Sequence, residues 1–132
     1  MTHNLRRIPD NGLQKALNAV QQHNAKQELQ RFYHENPVAA IRKTFEDQVK
    51  EFEESLSDDY EVGAWLASFG NQILIIVEKI QFSEPNLIIF HGRDDQDNKL
   101  QLIQHATQLN LLLNAVKKTT EEPRKPIGFV HD

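Results

Sequence analysis

A chain of 132 residues fits one ordinary domain, large enough to bury about two-thirds of its unfolded surface without a disulfide or a structural metal. It contains no cysteine, which excludes a thiol nucleophile, a disulfide framework and a thiolate zinc site and leaves a composition compatible with the cytosol. Fifteen Lys and Arg against nineteen Asp and Glu give a formal charge of −4, so no global field draws it to a polyanion. No apolar run of about eighteen residues marks a membrane span, and the start, MTHNLRRIPDNG, has no apolar stretch behind its arginines. The expectation is a soluble, cytoplasmic protein with no membrane partner.

Residues 1–11 show no periodicity and read as a flexible arm, ended by Pro9, Asp10, Asn11 and Gly12; residues 12–132 read as a single α+β domain. Leu13, Ala16, Leu17 and Val20 fall at helical spacing, followed by a glutamine-rich stretch and then Leu29, Phe32 and Tyr33. This predicts a first helix over 13–34, with a break near His23 and Asn24. Asn36 and Pro37 form an N-cap and first-turn pair. From there Val38, Ile41, Phe45, Val49, Phe52 and Leu56 advance by three or four, with Arg42, Lys43, Glu46, Lys50 and Glu54 off the stripe. One face packs and the other is wet.

Tyr60 to Phe69 predicts a first strand and Gly70-Asn71 a two-residue turn, which sets Phe69 opposite Gln72 and Trp65 opposite Ile76. Val62, Ala64 and Leu66 then share a face with Ile73, Ile75 and Val77, while Trp65, Ala67 and Phe69 share the other with Leu74, Ile76 and Ile80. Ser83, Glu84 and Pro85 turn the chain into a third strand, 86–92, and the polar RDDQDN leads to a fourth, 99–104. The expected core is a four-stranded antiparallel meander pairing Gly92 with Lys99. Ala106, Leu109, Leu112, Leu113 and Val116 predict a C-terminal helix over 106–118, with a strand over 109–113 as the alternative; Ile127 to Val130 supply a short final strand.

Both faces of this meander are apolar, so each needs a cover. The Val38–Leu56 helix covers one. The 106–118 helix covers only part of the other, the rest falls to the first helix or to a second copy of the chain, and homo-oligomerisation, dimer or higher, is the expected solution, with Trp65, Phe69, Leu74 and Ile76 as interface.

Chemistry-bearing patterns are sparse. His23 and His34 are about 16 Å apart on a helix, and the expected register sets His91 and His105 on opposite faces, so neither pair shares an ion and no metal or other cofactor is implied. Counted from Asp95, RDDQDNKL departs from a calcium loop at the fifth, sixth and twelfth positions (Lys99, Leu100 and Ala106) and reads as a solvated hairpin loop. No phosphate-binding, nucleophile-elbow or zincin motif occurs. The carboxylates of FEDQVKEFEESLSDD line a wet helix face. What remains is a polar cluster where the fourth strand ends, Gln104, His105 and Thr107, with Arg93 as a further candidate ligand contact; its plainer reading is a helix cap through His105 or Thr107. These features point to a non-enzymatic interaction module that self-associates through a sheet face and presents the polar strand end to a protein or small ligand.

The stretches YEVGAWLASFG, PNLIIFHG, LQLIQHATQLNLLLNAV and PRKPIGF, within residues 60–129, resemble a family of small bacterial proteins known only as a domain of unknown function. That resemblance implies a bacterial, single-domain protein and carries no catalytic residue. Gln104-His105-Ala106-Thr107 after LQLI is also similar to the segment closing the fourth strand of the Sm-like RNA chaperone Hfq. By that likeness His105 inherits an RNA contact, with Arg93 and Trp65 as companions in the alternative function, binding of RNA or single-stranded nucleic acid.

Overall fold

The computed structural model describes residues 10–68 and 71–131. The chain divides into two compact units, the first ending at Glu35 and the second spanning Asn36–Asp132. The first is described by one helix, α1 (Asp10–Glu35). It runs unbroken through His23 and Asn24, where a break was expected, and it begins inside the stretch read as an arm. Leu13, Leu17, Val20, Leu29, Phe32 and Tyr33 all stay exposed. Their spacing explains why α1 has no single apolar face: the line through Leu13, Leu17 and Val20 continues into Asn24, Gln27 and Arg31, while Leu29 lies about 160° round the axis from Leu13.

The second unit is an α+β fold. Helix α2 (Pro37–Ser55) starts with Pro37 in its first turn, where the missing amide costs nothing. Asn36 occupies the N-cap position without a side-chain capping bond; the Val38 amide instead donates to Pro85 O at 3.1 Å. That bond ties the helix start to the turn between the second and third strands. Val38 and Val49 are fully covered, with Ile41, Phe45, Phe52 and Leu56 packed around them, so the apolar stripe read in the sequence is the face that α2 buries.

Six strands follow: β1 (Tyr60–Ser68), β2 (Asn71–Ser83), β3 (Leu87–Arg93), β4 (Lys99–His105), β5 (Leu111–Lys117) and β6 (Gly128–His131). Their order is β4-β3-β2-β1-β5, with β6 beside β2. All pairings are antiparallel except that of β6, which runs parallel to β2. β2 is long enough to serve two neighbours in succession. It pairs with β1 over 71–76 and with β6 over 79–82, and its register against β3 shifts between Val77 and Lys79.

Three expectations are corrected here. The segment expected as a C-terminal helix is a 3-10 turn (Ala106–Gln108) followed by β5, which pairs with β1 from Tyr60 opposite Lys117 to Leu66 opposite Leu111. A repeating three-and-four spacing and a two-residue alternation fit LLLNAV about equally well, and the open edge of β1 selected the strand. The first hairpin closes with Ser68 opposite Asn71, so Trp65 faces Leu74 rather than Ile76. That two-residue shift preserves parity, so Trp65 still shares a face with Leu74 and Ile76; Ile80, expected with them, lies on the α2 face because the register shift between Val77 and Lys79 reverses parity beyond it. The β3–β4 register is off by one: Gly92 faces Leu100 and Leu87 faces His105. Parity flips there, which puts His91 and His105 on the same face, four residues or about 13 Å apart along the strands.

The core lies between α2 and one sheet face: Val62, Ala64, Leu66, Ile75, Val77, Ile80, Phe82, Ile88 and Phe90. Phe45 from α2 meets Phe82 and Phe90 edge-on, with centroids at 6.0 and 6.2 Å. The connection from β5 to β6 is held by two side-chain anchors. Arg124 donates to the carbonyls of Tyr60 at 2.6 Å and Ser57 at 3.1 Å, and the Glu53 carboxylate accepts from the Ile127 amide at 3.2 and 3.3 Å. Glu53→Ala leaves that amide without its acceptor beside the buried Ile127 side chain. The expected cost is about 1–2 kcal/mol, seen as a lower urea midpoint together with faster amide exchange over 127–131.

Candidate interaction surface

The sheet face away from α2 is overlain by no helix or strand of the second unit among the described residues. Its composition follows from the alternation of each strand: Glu61, Gly63 and Trp65 from β1, Leu74 and Ile76 from β2, Ile89, His91 and Arg93 from β3, Ile103 from β4, and Leu112, Asn114 and Val116 from β5. The face divides into three zones. One end is an apolar row, Leu74–Trp65–Leu112, in which Leu112 is 66% exposed. A polar belt crosses the middle. The other end is a row from Ile103, 58% exposed, through Ile89 and Gln81 to Val130.

Of the residues expected at an interface, Trp65 and Leu74 are half-buried on this face, whereas Ile76 is already covered, at 4% exposure, and has little left to offer a partner. Phe69 lies outside the described residues. Leu112 was missed because its segment was read as helix; its signal was the alternation of Leu112, Asn114 and Val116 with Leu111, Leu113 and Ala115. Gly63 lets the face close over itself. A Cβ there would sit 2.6 Å from Val116 Cγ2 and 3.0 Å from Leu74 Cδ1.

In the belt, Arg93 Nη2 donates to Glu61 Oε2 at 2.7 Å, reaching diagonally over β2, and Asp97 Oδ1 lies 3.8 Å from its Nε. His91 Nε2 lies 3.1 Å from Gln81 Oε1. Burial first, then the nearby Lys79 and Lys99 ammonium groups, hold the His91 imidazole below its ordinary pKa of 6.5. The neutral form is favoured in the fold, so the stability it supplies is complete above 6.5 and falls as acid protonates the ring. NMR titration of the six histidines should show His91 titrating below 6.5. A value at or above it would mean that the ring is more open to water than its surroundings imply.

The four expected ligand contacts do not form one site. His105 Nδ1 accepts from the Thr107 amide at 3.2 Å and lies 2.7 Å from Thr107 Oγ1, so His105 caps the 3-10 turn, the plainer of the two readings. Gln104 Nε2 donates to Gln108 O at 3.2 Å, while its Oε1 is buried with no hydrogen-bond partner among the described residues. Arg93 stands at the far end of β3, six residues or about 20 Å from Leu87, which faces His105. The loop between β3 and β4 spends its acid on itself: Asp94 accepts from the amides of Gln96 and Asn98 and from Asn98 Nδ2. Among the described residues no three His, Asp or Glu side chains are placed to hold a metal ion, and no helix is long and apolar enough to cross a membrane.

A match to one family covers residues 32–130, which takes in α2 and all six strands up to Val130. The chain belongs to the family of unknown function DUF6173. The DUF6173 region thus coincides with the second unit and includes only the last turn of α1. No curated protein and no solved structure matches the chain. Nothing in these comparisons links it to the Sm-like chaperones.

Proposed function

We propose that this DUF6173 protein is a non-enzymatic interaction module that self-associates through its sheet, with the Trp65 face as the contact surface. The observation that carries this reading is the row Leu74–Trp65–Leu112, a continuous apolar strip with no layer of its own unit on it. Such strips mark contact surfaces in soluble proteins, and a tryptophan with one side packed and the other open is the residue type that anchors them. The pairing of Arg93 with Glu61 supports the same reading, since it neutralises within the protomer a charge that lies beside the strip.

Trp65→Ala is expected to weaken self-association by about 2 kcal/mol, close to a thirtyfold rise in dissociation constant, while circular dichroism still reports a folded protomer. Sedimentation velocity over a hundredfold dilution reads the shift. A wild-type protein that stays monomeric at every concentration removes the proposal.

One observation favours the nucleic-acid alternative: Gln104-His105-Ala106-Thr107 closes the fourth strand after an antiparallel meander, as in the Sm-like likeness, and Thr107 is exposed. Against it, Arg93 is engaged by Glu61 and stands far from His105. Oligo-U and oligo-A titrations at low salt test it, because phosphate contacts give steeply salt-dependent binding.

A further inference from the structure

The strand at the Trp65 end of the sheet has an open edge, and the hydrogen-bond pattern fixes what that edge presents. The Lys118 amide donates to Asp59 O at 2.8 Å, in line with the β1–β5 register. Antiparallel ladders alternate between bonded and non-bonded pairs. The amides and carbonyls of Leu112, Asn114 and Val116 therefore point at β1, and those of Leu111, Leu113, Ala115 and Lys117 point outward, where no strand of the described residues pairs with them. The same argument applies to the opposite edge: the Ala106 amide donates to Asn86 O at 2.7 Å, so Lys99, Gln101, Ile103 and His105 face outward from β4.

The two edges differ in how well each fits a copy of itself. An antiparallel β4–β4 pairing over the full strand sets Lys99 against the partner copy's His105, a residue already engaged in capping its own 3-10 turn, and Gln101 against Ile103. An antiparallel β5–β5 pairing centred on Asn114 has no such conflict. Leu111 opposes Lys117 and Leu113 opposes Ala115, so every outward backbone group is bonded. Leu112 opposes Val116 on the Trp65 face, and the two Asn114 side chains meet at the axis, where each amide offers the other a donor and an acceptor. β5 also lacks the edge devices that prevent such pairing: it has no proline, no bulge and no charge before its last residue.

We propose that two copies join antiparallel along β5 about a twofold axis at Asn114, making one continuous sheet in which the two Leu74–Trp65–Leu112 rows lie on a common surface. This rests on the self-association proposed above and adds to the contact across the Trp65 face a second one, along the β5 edge. Closed twofold pairing is also the commonest way for a chain to meet its own copy.

The test uses a substitution that spares the protomer. Proline at Ala115 removes an amide that points outward, so the bonds to β1 are kept while the bond across the axis is lost. Ala115→Pro is expected to stay folded and to raise the dissociation constant at least tenfold. The chain has no cysteine, so Asn114→Cys reports the axis directly. Opposed residues of a non-bonded antiparallel pair are close enough for a disulfide, and mild oxidation should give a covalent dimer. Leu112→Cys should not cross-link, because its symmetry mate is roughly 13 Å or more away. Should Ala115→Pro fail to fold, the two cysteine variants decide. No cross-link at 114, a cross-link at 112 in its place, or undiminished association in a folded Ala115→Pro overturns the β5 pairing. Loss of association in Trp65→Ala with none in Ala115→Pro overturns it while leaving self-association through the face intact. A wild-type monomer at all concentrations overturns both.

Discussion

Gly92→Ala is expected to destabilise the fold by about 3 kcal/mol, at the top of the usual range for overpacking. A Cβ at this position would lie 2.1 Å from the carbonyl oxygen of Ile76 and 2.9 Å from Ile75 Cγ2. The first obstacle is backbone, at the point where β2 shifts its register against β3, and no rotamer change can relieve it. The methyl fits only if the ladder opens beside its register shift. Urea denaturation followed by circular dichroism should show a large drop in midpoint with little change in slope. Gly12→Ala is the control. Nothing lies within 4 Å of a Cβ there, and alanine in a helix should be neutral or stabilising by up to about 1 kcal/mol within its own unit.

Phe82→Ala is expected to cost about 3–5 kcal/mol, as truncation of a fully enclosed aromatic does elsewhere. Phe82 has no exposed surface and joins three elements. Its ring lies edge-on to Phe45 of α2, stacks on Phe129 of β6 at 6.4 Å between centroids and meets the His131 ring at 5.4 Å. Removing it leaves a cavity that neither a helix nor a hydrogen-bonded strand can close. Phe82→Leu keeps most of the volume and should lose less than half as much. Thermal melts of the two variants separate the loss of volume from the loss of ring contacts. Equal losses would mean that the flat stack on Phe129, rather than filled space, sets the energy.

What was legible in the sequence follows from how local its causes are. α2 was readable because the Asn36-Pro37 start and a stripe from Val38 to Leu56 are contained in twenty-one residues. β1 to β4 were readable because apolar runs between turn residues have few other uses. The registers were not fixed by the same signals. Asn71 begins β2 instead of turning the chain, and the loop after Arg93 places Asp97 in the left-handed region, at φ 67°, so that Arg93 pairs with Lys99 and the whole hairpin moves by one residue. β5 was misread because its local pattern fits helix and strand about equally, and the choice depends on β1, about fifty residues earlier. The polar cluster at His105 was visible as a cluster. That it serves as a cap for three residues of 3-10 turn follows from the Nδ1 contacts to Thr107. The candidate surface was half-visible: Trp65 and Leu74 were found through parity, and Leu112 was lost with its strand.

The shared edge of β2 bears on how the chain matures. β1 and β3 reach β2 through short connections, so their hairpins can close early and locally. β6 must travel back from Gly128 to Lys79, and it occupies the strip that β1 leaves bare. Until those four residues arrive, Lys79 to Phe82 present an unpaired strand edge, and the Phe82 ring lacks its Phe129 lid. A chain whose β6 has not docked, or one clipped in the TTEEPRKP connection, would leave this stretch open. Docking of β6 thus closes a stretch of β2 edge that is otherwise open to pairing with another chain.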